Sequence, residues 1–314
     1  MSVVALMITG WDAGPWERRL QSIDSGLDIR TWPDIGNAAD IDYALVWKPD
    51  GKALASLANL KVIFSLGAGV DHILGADNIP DIPIVRIVDP NLTARMSEYV
   101  VLHCLARLRR YAVYREQQAR KEWIEQPDPC AAEVRVGVMG YGVLGQDAAR
   151  KLAVMGFDVA AWNRSEKNDG DIPVFSGEAG KAEFLARTDI LVSLLPLTPD
   201  THGVLNTALF EGLARDGVLG PPSLINAGRG KLQNEPDILD ALDRGVLSEA
   251  VLDVFVEEPL PAESPFWTHP KVVLTPHNAA ISDPRALVEY VYRQIARYET
   301  GEPLENVVDR TRGY

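Results

Sequence analysis

Three side chains in this sequence have the types and spacing to hold an anion and move a proton. Arg229 lies in Ile225-Asn-Ala-Gly-Arg-Gly230, directly after the apolar run Leu224–Asn226. Glu258 closes Asp253-Val-Phe-Val-Glu-Glu-Pro259, after the run Ala250–Val254. His277 stands in Thr275-Pro-His-Asn-Ala-Ala280, after Val272–Thr275. A guanidinium can clamp a carboxylate through two parallel hydrogen bonds. An imidazole titrates near neutral pH and can be oriented by a carboxylate. A lone His or Glu is more often structural or merely exposed, and a single Arg in a glycine-rich turn is as often a surface residue. All three, however, sit just past strand-like runs, on the presumed ligand side of a parallel sheet. Together they suit proton transfer coupled to hydride transfer at a 2-oxo acid.

Such a set needs a hydride carrier, and Val134–Gly145 has the pattern to bind one. Val134, Val136 and Val138 form an apolar run into Gly140-x-Gly142-x-x-Gly145, and a helix-like stretch from Gln146 to Met155 follows. Strand, glycine turn and helix form the context that makes this pattern a dinucleotide site. Gly140 would make the tight turn, Gly142 would let a pyrophosphate reach the backbone, and Gly145 would let helix and strand pack closely. The next strand, Val159–Trp162, runs into Asn163-Arg164-Ser165-Glu166-Lys167. An acid there would bind the 2′-hydroxyl of NAD, but the position holds Asn163, with Arg164 and Lys167 close by. The expected cofactor is therefore NADP(H), with NAD(H) the alternative.

The elements that must position these residues read as α/β units. Strands are expected at Val3–Thr9, Tyr43–Trp47, Lys61–Ser65, Val159–Trp162, Ile190–Leu195, Leu224–Asn226, Ala250–Val254 and Val272–Thr275. Helices are expected at Trp16–Ser22, Ala53–Leu60, Ala182–Arg187, Ile238–Leu242 and Arg285–Thr300, and the alternation implies parallel sheets. Thr93–Trp123 contains no Gly or Pro and reads as one long helix, a connector or an oligomer interface. Ala214–Pro222 reads as an enlarged surface loop.

Composition narrows the partners. The 314 residues suffice for two domains, and a formal net charge of −13 argues against nucleic acid, whose binding rests on Lys and Arg neutralising phosphates. Two cysteines, Cys104 and Cys130, fit a reducing cytosol rather than a disulfide framework. The Val3–Ile8 run lacks the basic flank of a signal peptide, and no segment approaches the ~20 apolar residues that span a bilayer. The expectation is a cytoplasmic protein with a small-molecule substrate, no membrane partner and no metal.

The motifs G-x-G-x-x-G, N-A-G-R-G, D-V-F-x-x-E-P and T-P-H-x-A-A, in that order, resemble the D-isomer-specific 2-hydroxyacid dehydrogenase family. Leu66-Gly-Ala-Gly-Val-Asp71 is similar to its substrate loop, so the likeness spans nearly the whole chain. Tyr43-Ala-Leu-Val-Trp47, Glu263-Ser-Pro-Phe-Trp267 and Val308-Asp-Arg-Thr-Arg-Gly-Tyr314 resemble its glyoxylate/hydroxypyruvate reductase A type. The resemblance implies two Rossmann-like domains with parallel sheets and a cleft between them. These would be a flavodoxin-like substrate domain, residues 1–95 plus 283–314, and a dinucleotide-binding domain, residues 96–282. It implies Arg229 as the substrate clamp, His277 as general acid and Glu258 as its partner. Trp47 and the amides of Ala68 and Gly69 would bind substrate. Gly142, Val143 and Leu144 would meet the pyrophosphate, and Asn163, Arg164, Ser165 and Lys167 the adenosine 2′ position. Leu195, Pro196, Thr201, Ala227, Asp253, Ala279 and Met96 would line the rest of the cofactor cleft. The implied activity is NADPH-dependent reduction of glyoxylate to glycolate and hydroxypyruvate to glycerate, in a homodimer. The alternatives are an NAD-dependent dehydrogenase of a bulkier 2-hydroxy acid, or a non-catalytic NAD(P)-sensing corepressor. Two features depart from the family: the long loop Arg215–Ser223, and Lys231-Leu-Gln-Asn-Glu235 in place of an apolar-acidic run.

Overall fold

In the computed structural model, which describes residues 2–314, the apolar runs form parallel strands buried on both faces. Contacts divide the chain into two compact units, Met1–Leu92 with Ile281–Tyr314, and Thr93–Ala280.

The first unit contains β1 (Val3–Ile8), β2 (Asp28–Thr31), β3 (Tyr43–Trp47), β4 (Val62–Ser65) and β5 (Ile84–Val85). They pair in the order β2-β1-β3-β4-β5, all parallel. Alternate residues enter two separate cores. Val4, Leu6, Leu45 and Phe64 pack with Trp16, Leu20, Leu287 and Val291 from helices on one face. Ala5, Met7, Val46 and Ile63 pack with Leu54 and Leu57 on the other. This two-sided burial is why the strands are continuous apolar runs rather than alternating ones.

The second unit contains β6 (Arg135–Met139), β7 (Asp158–Asn163), β8 (Val174–Ser176), β9 (Ile190–Ser193), β10 (Ser223–Asn226), β11 (Glu249–Leu252) and β12 (Val272–Leu274). Their order is β12-β11-β10-β9-β6-β7-β8, again parallel throughout. The direction of winding reverses between β6 and β9, which is where such sheets open a ligand crevice beyond the strand C-termini. Val136, Val138, Val192 and Ile225 pack with Ala148 and Leu152 on one face, and Met139, Leu191, Leu224 and Leu252 with Phe184, Ile238 and Leu242 on the other.

Several expectations need correction. The expected single helix over Thr93–Trp123 is two helices, Pro90–Leu108 and Tyr111–Arg120. The break falls at Arg110, which adopts a left-handed φ of 52° although no Gly or Pro marks it. The Ala53–Leu60 helix is shorter and earlier, Gly51–Ala55, because the Asp50 side chain caps the Lys52 N–H at 2.8 Å. β2, β5 and β8 were not expected; they are edge strands two to four residues long, with too little apolar pattern to read. The Arg215–Ser223 loop is anchored: Leu219 is buried, and Arg107 donates to the carbonyls of Leu219 at 2.8 Å and Pro221 at 3.2 Å.

Candidate active site

All strands of the second sheet run parallel, so the loops leaving β6, β9, β10, β11 and β12 gather along one edge. The loop after β12 carries His277 at a left-handed φ of 52°. Its N–H donates to the carbonyls of Asp253 at 2.8 Å and Thr275 at 3.0 Å. The Asp253 carboxylate holds the same loop, accepting from the Thr275 hydroxyl at 2.6 Å, the Asn278 N–H at 2.9 Å and the Ala279 N–H at 3.1 Å. Burial pushes the Asp253 carboxyl above its ordinary range, against the pull of the Thr275 hydroxyl and those two amides. Tyr99 adds a brace from the long helix, its hydroxyl 2.9 Å from Thr275 Oγ1.

Held in this way, His277 Nδ1 lies 2.9 Å from Glu258 Oε2. An ionised carboxylate only accepts, so Nδ1 carries the hydrogen in this bond and Nε2 is the nitrogen available to a substrate. The other Glu258 oxygen accepts from the Phe255 N–H at 3.2 Å, which fixes the carboxylate to its own loop. Both side chains keep partial solvent access, 31% for His277 and 22% for Glu258.

Arg229 leaves β10 on a loop that only small residues allow. A Cβ on Gly230 would lie 1.8 Å from the Phe255 carbonyl oxygen, and one on Gly228 2.8 Å from the Leu195 oxygen. The Arg229 loop is therefore packed backbone to backbone against the loop that presents Glu258. Arg229 is half-buried, and its Nη1 donates to the Gly228 carbonyl at 2.8 Å.

The turn after β6 has the shape of an anion cradle. Gly140 has a φ of +104°, and a Cβ there would come within 2.7 Å of the Leu194 carbonyl. A Cβ on Gly145 would lie 2.1 Å from the Gly140 oxygen, which forces the helix start against the strand end. Gly142 differs, because a Cβ there would meet no protein atom within 4 Å. The helix Val143–Val154 begins next to it with no side-chain cap, and the N–H groups of Val143 and Leu144 have no acceptor among the described residues. A helix N-terminus of this kind with an open glycine beside it fits a pyrophosphate.

Around this cradle, Lys167 Nζ donates to the Tyr141 carbonyl at 2.6 Å, tying the loop after β7 to the glycine turn. Asn163 Nδ2 donates to the Ser165 carbonyl at 2.9 Å and shapes that loop. Arg164 pairs with Asp200 at 3.2 Å, both side chains largely exposed. Thr201 turns its hydroxyl into its own loop, donating to the Pro196 carbonyl at 2.7 Å. Leu195 is buried in the core that contains Leu224 and Leu232. Met96, Ala227 and Ala279 share the opposite core.

In the first unit, Trp47 ends β3 and is buried. Trp11 stacks on it at 4.3 Å with 15° between the rings, and His72 lies at 4.6 Å. Gly67 is forced by Trp47, since a Cβ there would be 2.4 Å from its ring. The N–H groups of Ala68 and Gly69 meet no acceptor among the described residues. Sequence reasoning missed Trp11, His72, Asn226, Gln233, Thr275 and Tyr99. The available signal was polar residues inside or next to apolar runs, as at Asn226 and Gln233.

Residues 101–279 match the D-isomer specific 2-hydroxyacid dehydrogenase NAD-binding domain. The chain belongs to that dehydrogenase family. This family member is 40% identical over 310 residues to the glyoxylate/hydroxypyruvate reductase A of Klebsiella pneumoniae strain 342, covering 97% of each chain. The NADPH-dependent glyoxylate/hydroxypyruvate reductase of Sinorhizobium meliloti, solved in complex with NADP and sulfate, matches at a TM-score of 0.95 and 49% identity, covering 100% of both chains. A probable 2-hydroxyacid dehydrogenase of Rhizobium etli CFN 42, solved with NADP, HEPES and L(+)-tartaric acid, matches at a TM-score of 0.94 and 48% identity over 100% of both chains.

Proposed function

We propose that the chain reduces small 2-oxo acids with NADPH, glyoxylate to glycolate and hydroxypyruvate to glycerate. The observation that carries this reading is the His277–Glu258 pair at 2.9 Å, with Glu258 on a loop packed against the loop of Arg229. A sensor has no need of a proton donor held in this way.

The roles follow from the geometry. Arg229 binds the substrate carboxylate and draws electron density from the carbonyl. His277 Nε2 gives its proton to the carbonyl oxygen, and Glu258 keeps the ring aimed by holding Nδ1–H. The bound nicotinamide dinucleotide supplies the hydride. Gly140, Gly142, Val143, Leu144 and Gly145 hold its pyrophosphate, and Asn163, Arg164, Ser165 and Lys167 its 2′-phosphate. The exposed Arg164–Asp200 pair can be exchanged for a phosphate at little cost. The first unit is assigned to substrate through Trp47 and the Ala68 and Gly69 amides, and the second to the dinucleotide. The NADP bound in the Sinorhizobium and Rhizobium relatives supports NADP(H) over NAD(H).

We further propose a cytoplasmic homodimer. Both cysteines are free, and no described helix is long and apolar enough to cross a membrane. Tyr114, Trp123 and Ile124 stand exposed around a groove of about 620 Å³, a surface suited to a second copy of the chain. Sedimentation at the mass of a single chain would refute the dimer.

The deciding assay follows loss of the reduced-nicotinamide absorbance with glyoxylate, in parallel with NADPH and NADH. Fast oxidation of NADPH and slow oxidation of NADH is the expected result. A preference for NADH would overturn the 2′-phosphate reading. Oxidation of neither with glyoxylate, hydroxypyruvate or pyruvate would overturn the substrate class.

A further inference from the structure

The loops that leave β9, β10 and β11 meet on one short segment, Lys231–Asn234, which the catalytic reading leaves without a role. Its backbone is zipped to the chain that continues from the β9 loop. Gly203 N–H donates to the Lys231 carbonyl at 2.9 Å, Leu205 N–H to Leu232 at 2.8 Å, and Asn234 N–H to Leu205 at 2.9 Å. From this anchored segment the side chain of Gln233, a residue only 3% exposed, reaches the other two loops.

Both ends of its amide are bonded. Nε2 donates to the Val254 carbonyl at 3.0 Å and to Glu235 Oε1 at 3.3 Å, while Oε1 accepts from Asn226 Nδ2 at 2.8 Å. Each partner passes the constraint on. Asn226 Nδ2 also donates to the Arg229 carbonyl at 3.2 Å, and its Oδ1 accepts from the Gly228 N–H at 3.1 Å. Glu235 Oε1 accepts from the Val256 N–H at 2.8 Å. One side is therefore the loop of Arg229, and the other is the stretch Val254–Val256 that leads to Glu258.

We infer that Gln233 is a positioning residue: its amide sets the spacing between the Arg229 loop and the Glu258 loop. The inference rests on the proposed function for the roles of Arg229 and Glu258, but the bracing itself rests only on the hydrogen bonds. Only an amide can do this at one point, because it donates twice and accepts in the same plane. A carboxylate would bring an acceptor against the Val254 carbonyl and the Glu235 oxygen. An apolar side chain of equal volume would fill the space and leave buried polar groups without partners.

The test compares wild type with Gln233→Met by hydrogen exchange, thermal melting and steady-state kinetics. The expected result is exchange at least about tenfold faster in Ala227–Gly230 and Phe255–Glu258 while the strands keep their protection. With it, kcat for glyoxylate should fall on the order of tenfold while the KM for NADPH stays within about twofold, because the glycine cradle on β6 is not touched. Unchanged exchange in the two loops would overturn the inference. So would loosened loops with wild-type kinetics. Uniformly faster exchange through the sheet with a matching fall in Tm would mean a merely structural role and would also overturn it. If Gln233→Met fails to fold, Gln233→Glu, which keeps the acceptor for Asn226 and loses both donors, makes the same comparison. A wild-type chain inactive on every 2-oxo acid would defeat the proposed function, and exchange would still decide whether Gln233 braces the loops.

Discussion

Replacing Glu258 with Gln is the sharpest perturbation of the proposed chemistry, because the Phe255 N–H and His277 Nδ1, which meet its two different oxygens, are both donors. Oε1 accepts from the Phe255 N–H at 3.2 Å and Oε2 from His277 Nδ1 at 2.9 Å. A glutamine has one acceptor oxygen and cannot serve both. If that oxygen stays on Phe255, the new amide donates to Nδ1 and selects a neutral ring protonated only on Nε2. A neutral imidazole is a far weaker acid than imidazolium, so proton delivery to the carbonyl oxygen suffers. If the oxygen turns to His277, the Phe255 N–H loses its partner and the loop loosens. A hydrogen bond to a charged partner contributes about 1.5–3 kcal/mol, and about 1.4 kcal/mol is a factor of ten in rate, so kcat should fall by roughly 10- to 150-fold. The assay is NADPH oxidation at saturating glyoxylate, with the KM for NADPH as the internal control. A Glu258→Gln enzyme that keeps half its kcat would refute the reasoning. A loss of kcat accompanied by an equal loss of NADPH affinity would point to a collapsed site instead.

Gly142→Ala should leave the Tm within about a degree, since its Cβ meets no protein atom, yet weaken NADPH binding at least tenfold in a fluorescence titration. Gly140→Ala, at a φ of +104° and against the Leu194 carbonyl, should instead cost about 2 kcal/mol or more of folding stability in a urea melt. Arg164→Ala should raise the KM for NADPH about tenfold and hardly change that for NADH; equal effects on both would remove Arg164 from the 2′-phosphate. Asp42 bears on stability: burial pushes its carboxyl up, but Lys61 at 2.8 Å and the Val3 N–H at 2.9 Å outweigh this and hold it below 3.8. Its contribution is present in full above the ordinary aspartate value and is lost as pH falls through the lower native one. Asp42→Asn should therefore cost about 1 kcal/mol near pH 7, with the difference from wild type shrinking in melts taken progressively below the ordinary aspartate value.

The parallel α/β class was legible because buried strands leave long apolar runs, and because glycines at close backbone approaches leave recognisable spacing. Gly140, Gly145, Gly228 and Gly230 each face a backbone atom that a Cβ would strike, so the chemistry of the turn is written directly into residue type. Helix ends and edge strands were less legible. Arg110 breaks a helix through a left-handed backbone that nothing in its residue type announces, and two- to four-residue edge strands carry almost no period.

The sequence by itself determined which residues could clamp, donate and cradle, because a guanidinium, an imidazole, a carboxylate and a bare glycine have their capabilities wherever they stand. Tertiary structure alone decided who holds whom. Glu258 and His277, 19 positions apart, become partners because β11 and β12 are neighbours in one parallel sheet. Gln233 reaches Asn226 and the Val254 carbonyl because the loops of β10 and β11 pack backbone to backbone, and that approach depends on strand order, which no local pattern encodes.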